Sequence, residues 1–204
     1  SLASGLVGVW ARANTREEIF DAMMRREVFA TTGTRMRLRM FASWDFTAAD
    51  KDAPDFTRTA YAKGVPMGSD LTGSGAAPGF LVEAIRDPDG ANLDRIQIVK
   101  GWVDASGKMQ ERVFDVVWSG NRKPGKGGKL PAVGNTVKGA SYTNTIGAPV
   151  LSAYWRDPTH RAGERAFYYA RVLEIPTPTW LAYDMEQIGP RALPKNAKLV
   201  HQER

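Results

Sequence analysis

The apolar positions fall into two styles. Gly5–Ala11 (GLVGVWA) is a short apolar run that predicts a buried strand. Asn14-Thr-Arg-Glu17 then reads as a capping box, with Asn14 accepting from the Glu17 amide. Ile19, Phe20, Met23 and Met24 follow at helical spacing and predict an apolar helix face, closed by Arg25, Arg26 and Glu27. After a turn at Gly33, Thr34–Phe41 alternates. Met36, Leu38 and Met40 lie on one face, and Arg35, Arg37 and Arg39 on the other. The segment from Gly5 to Phe41 is therefore expected to be strand–helix–strand. Its arginine face reads as solvated, with an anion site as the alternative.

From Asp45 the periodicity changes. Ala48–Pro54 is polar and irregular and reads as a boundary. Strands then recur between turns. Phe80–Arg86 ends at Asp87-Pro88-Asp89-Gly90, a turn in which proline fixes one dihedral and glycine permits positive φ. Leu93–Val103 and Gln110–Trp118 flank Asp104–Gly107 as a hairpin. Ser141–Thr145, Val150–Trp155 and Arg165–Glu174 are further strands, the last leaving through Pro176 and Pro178. Many short strands with no further helical pattern predict an antiparallel β-sandwich. The expected fold is mainly β. Residues 1–45 form the strand–helix–strand end of an α/β domain, and residues 46–204 an accessory antiparallel sandwich.

Composition narrows the chemistry. With 204 residues the chain can bury a sizeable core. It has no cysteine, which excludes disulfides, thiolate zinc sites and cysteine nucleophiles. No apolar run is long enough to span a bilayer. The net charge of +6 is scattered apart from Arg122–Lys129 (RKPGKGGK). That segment lacks aromatic stacking surfaces and reads as a solvated loop rather than a nucleic-acid site. His160 and His201 lack partners at ligand spacing and read as surface residues, so no metal ligand is assigned. Asp94-Arg95 reads as a pair that orders the hairpin. Arg25, Arg26, Thr31 and Thr32 are the candidate substrate-binding residues. Hydroxyls and amides after a helix, with guanidinium forks beside them, suit an anion. A capped helix end is the structural alternative.

Gly5–Ala11, Asn14–Glu17, the FDAMMRREVFATTGTR run (Phe20–Arg35), Gly64–Leu71 (GVPMGSDL), Asp87–Trp102 and Tyr168–Trp180 together resemble the C-terminal part of the bacterial DUF3604 family. The resemblance implies an upstream metallo-dependent phosphoesterase domain of PHP-like type, holding a divalent metal through histidine and aspartate motifs that do not occur here. It implies that this chain works with that upstream portion of the same protein, on a small anionic substrate. It also implies export, to the periplasm or outside the cell. The expected role is the C-terminal part of a metal-dependent hydrolase of phosphoester type, contributing structure and anion recognition and inactive by itself. The alternative is a non-catalytic binding or assembly module.

Overall fold

The computed structural model describes residues 5–73, 75–189 and 196–204. The chain is mainly β, with antiparallel sheets in a sandwich-like arrangement. It begins with β1 (Leu6–Val9), α1 (Arg16–Met24) and β2 (Val28–Thr31). Strands β1 and β2 pair antiparallel, so this strand–helix–strand unit is not a parallel crossover. Its helix starts one residue later than the sequence suggests. The N-cap is Thr15, whose hydroxyl accepts from the Glu18 amide at 3.3 Å. The expected apolar face of α1 is not buried. Ala22 is its buried residue, while Phe20, Met23 and Met24 stand more than half exposed.

The body of the fold follows. Its elements are β3 (Arg37–Ser43), α2 (Ala48–Lys51), α3 (Phe56–Lys63), β4 (Val65–Pro66), β5 (Gly79–Ile85), β6 (Leu93–Val103), β7 (Met109–Trp118), β8 (Val150–Arg156) and β9 (Ala166–Glu174). One sheet has the order β4-β3-β5-β8 and the other β7-β6-β9. The alternating strand assigned by sequence to the N-terminal unit is thus an inner strand of the first sheet. It pairs with β5 from Arg37↔Ile85 to Ser43↔Gly79. The last elements are β10 (Thr177–Pro178), α4 (Trp180–Ile188) and β11 (Val200–His201), with β10 and β11 paired. The expected strand at Ser141–Thr145 is reduced to a single bridge between Lys138 and Ser141.

The sheets meet through Met40, Phe80, Val82 and Ala84 on one side and Ile96, Ile98 and Val172 on the other. The opposite face of β5 is covered too. Leu81 packs with Phe41, Phe46 and Ala60 under α2 and α3. This double burial explains why β5 reads as a continuous apolar run. It also explains α3, whose sequence pattern is thin: Phe56 and Ala60, four apart, face that cluster, and Asp55 caps the helix by accepting from the Arg58 amide.

Of the three arginines on the face expected to be solvated, Arg37 is exposed as expected, Arg35 is exposed but ion-paired, and Arg39 is drawn against an aromatic ring. The Arg39 guanidinium lies 3.6 Å from the Trp10 ring centroid, and the Trp10 indole N–H donates to the Leu38 carbonyl. Arg35 pairs with Asp87 and Asp89, so the carboxylates of that turn hold a guanidinium. Arg122, expected in a solvated loop, instead clamps the fully buried Asp94 at 2.6 Å. Arg95 and Gln202 also donate to this carboxylate. Lys123, Lys126 and Lys129 remain exposed.

Glu174 ends β9 in the interior, accepting from the Thr34 hydroxyl at 2.7 Å. Burial pushes its carboxyl up to about 7, and the nearby Glu203 and Asp87 carboxylates push in the same direction. The raised value means that the protonated form is the one the fold prefers. The stabilising contribution is complete below about 4.5 and is lost as pH rises through about 7. Glu174→Gln keeps the acceptor and removes the charge. Urea unfolding should find this variant more stable than wild type at pH 8, by up to about 3 kcal/mol, and the gap should close toward pH 4.5. Parallel stability–pH curves would contradict this assignment.

Candidate functional site

A groove of about 1120 Å³ opens between β9 on one side and β2, β3 and the loop after β4 on the other. Its floor is apolar, with Met36, Leu38, Met40 and Phe80. One margin carries Arg26, Thr31, Thr32 and Arg204, and another part carries Trp44, His160 and Glu164. A smaller hollow of about 620 Å³, beside Trp102, Gln110 and Arg112, shares His160 and Glu164 with it.

Three of the four candidate residues come together on the groove margin, in different states. Thr31 is buried; its hydroxyl donates to the Thr34 carbonyl and accepts from the Gly33 amide. The Thr32 hydroxyl binds Glu203 and its amide donates to the Arg204 carbonyl at 2.7 Å. These groups serve the fold and are not free amides awaiting an anion. Arg25 does not line the groove and pairs with Glu27 at 3.0 Å, beside the Tyr61 hydroxyl that donates to the same carboxylate. Arg26 is exposed and makes no ion pair among the described residues. Its backbone is left-handed, with φ of 61°, and it is the non-glycine residue found in that region. Gly68, from the segment after β4, lies against it so closely that a Cβ there would sit 2.2 Å from the Arg26 carbonyl oxygen. An uncommon backbone state is thus held at the rim by a packed neighbour.

The sequence reading missed the groove's polar part. His160 has Asp157 three residues before it and Glu164 four after. Their ligand atoms all lie within 4.8 Å of one another, the spacing of a three-donor metal cluster. The His160 Nδ1 is buried without a partner, and its ring stands 5.7 Å from Trp44. His160 is therefore a half-buried residue beside two carboxylates, not the surface residue that its turn suggested.

Among these donors sits Lys100, fully buried on β6. Its ammonium is 2.8 Å from Asp157 and in contact with Glu164. It also lies over the Trp102 ring at 5.0 Å. Burial pushes the Asp157 carboxyl up, but hydrogen bonds from Lys100, Tyr168 and Thr159 outweigh it and hold the group below its ordinary value. Burial and the adjacent Asp157 raise Tyr168, which therefore serves as a donor. A divalent metal does not fit this cluster while Lys100 is in it, because a second cation would meet an ammonium already neutralising both carboxylates. A signal was available in the sequence: Ile96, Ile98 and Lys100 share the inward alternation of β6, and an inward lysine needs acids opposite it.

Removing Lys100 should expose this competition. Lys100→Ala is expected to cost about 3–5 kcal/mol, since it leaves two buried carboxylates unpaired. Zinc should then restore part of the lost melting temperature in the variant and leave wild type unmoved. A zinc-dependent shift of equal size in wild type would contradict the resident-ammonium reading.

No curated protein and no solved structure matches the chain. A family model described as "Protein of unknown function (DUF3604)" matches residues 1–204, the full length of the sequence. The chain belongs to the DUF3604 family.

Proposed function

We propose that this chain is the C-terminal part of a metal-dependent hydrolase of phosphoester type, and that it contributes recognition of an anionic substrate rather than metal ligands. The metal and its histidine and aspartate ligands belong to an upstream portion of the same protein. The ion pairs of Lys100 with Asp157 and Glu164 support this reading, since they leave the Asp157–His160–Glu164 cluster already occupied by a cation. The observation that carries the reading is Arg26. Its guanidinium is exposed, it follows the α1 C-cap Arg25, and its strained backbone is held against Gly68 at the groove margin. A guanidinium fork in such a position suits phosphate oxygens. The uncovered apolar residues of the same unit, Leu6, Val7, Phe20, Met23 and Met24, supply a surface for the upstream portion. The described helices are too short and polar to cross a membrane. The working location under this reading is the periplasm or the exterior.

A second reading, a non-catalytic assembly module, is favoured by one feature. The outer face of the three-stranded sheet exposes Val103, Met109, Val113, Phe167 and Tyr169. Concentration-dependent association through that face, in a protein lacking hydrolase activity, distinguishes it.

Arg26→Gly separates strain from chemistry. Glycine accepts the left-handed backbone, so melting should show a gain of about 1 kcal/mol. In the full-length enzyme with its divalent metal, kcat/KM for a phosphomonoester such as p-nitrophenyl phosphate should fall about 10- to 100-fold, as for a lost charged hydrogen bond. Greater stability with unchanged kinetics would make Arg26 a purely structural residue and end the anion-site reading.

A further inference from the structure

The groove's interior calls for a different occupant. Seven consecutive residues of β9, from Ala166 to Val172, line it, as do all of β2, Val28–Thr31, and the following Thr32. Side chains alternate between the faces of a strand, so a groove lined by every residue in turn is bordered by the strand's edge. The pairing agrees. Among the described residues β9 pairs as a strand with β6 and β2 with β1, so along Ala166–Val172 and Val28–Thr31 each presents an open row of main-chain donors and acceptors toward the groove.

At one end of this gap a single extended segment already lies between the two edges. Glu203 and Arg204 continue from β11. The Glu203 carbonyl accepts from the Glu174 amide at 2.9 Å, and the Arg204 carbonyl accepts from the Thr32 amide at 2.7 Å. Successive carbonyls point to opposite sides, as in a strand with a neighbour on each side. The gap is thus one strand wide, about 10 Å between the flanking backbones. The pairing of β10 with β11 is antiparallel, so the same course carried along β9 runs antiparallel from Glu174 toward Ala166.

We propose that the gap between β2 and β9 is a strand-addition site, whose occupant is an extended polypeptide segment running antiparallel to β9 in line with Val200–Arg204. Main-chain bonds to both edges hold it, and the apolar floor under it, Met36, Met40 and Phe80, takes every second side chain. The occupant is therefore alternating, apolar on one face and free of proline at the bonded positions. The site uses main-chain edges and an apolar floor, so it stands independently of Arg26 and the phosphoester reading.

The test extends the 204-residue chain after Arg204 by a Val-Thr-Val-Thr-Val-Thr segment, beside a control extension with proline at every second position. Hydrogen exchange is followed at Phe29–Thr31 and Tyr168–Val172. The alternating extension should slow exchange at edge-facing amides of both strands by about tenfold or more and raise the melting temperature, and the proline control should do neither. Equal exchange in the two extended chains would overturn the proposal. So would β9 amides already protected in the unextended chain through a dimer seen by sedimentation, which would assign the edge to a second copy. Protection of β9 without β2 would also overturn it, because the segment would then lie outside the gap.

Discussion

Lys100 occupies an inward position of β6, two residues beyond Ile98, and its ammonium reaches no solvent. A buried cation in such a place is tolerated only with charge and hydrogen-bond partners at hand. Asp157 and Glu164 supply the charge, while Thr159 lies at the margin of hydrogen-bond distance. All three belong to the β8–β9 connection. The requirement thus draws that connection over one end of the sandwich. His160 comes with it, between the two hollows and against Trp44. The polar part of the candidate site is a consequence of satisfying one lysine.

The other part of the site has a different origin. β3 is shared in effect by two neighbourhoods. It is an inner strand of the four-stranded sheet, and through Arg39 and Leu38 it holds Trp10 of the N-terminal unit. Glu27 ties the same unit to α3 through Tyr61. These contacts fix β2 and Arg26 beside the sandwich while leaving the helix's apolar side uncovered. The result is a groove with an apolar floor, two unpaired strand edges and a cationic margin. The proposed anion recognition uses the margin, and the proposed strand addition the interior.

Alternation made most of the sandwich legible. The expected limits of β6 match the observed strand, and the hairpin with β7 follows from the turn residues Asp104–Gly107. Periodicity could not place β3, because alternation states which face is buried and not which sheet receives it. The helices α2 and α3 were hidden by short length and sparse apolar content. Their caps, Thr47 with Asp50 and Asp55, were the readable trace. The four candidate residues were found as a linear cluster. Their division into an engaged pair of threonines, a paired Arg25 and a free Arg26 depends on Glu27, Glu203 and Arg204. Two of these lie about 170 residues away in sequence, beyond any local pattern. Burial of the α1 face was expected from its spacing alone. Amphipathic spacing requires a partner surface, and the described residues do not provide one.

The central claim is that this chain contributes recognition and framework, with Lys100 standing where a metal cluster would otherwise form. The most direct measurement is the metal content of the purified 204-residue chain by elemental analysis, after equilibration with zinc and manganese and removal of free ions. The account predicts far less than one equivalent of either metal, unchanged in His160→Ala. One equivalent retained by wild type and lost in His160→Ala would contradict it, and would make Asp157, His160 and Glu164 a metal centre in this chain.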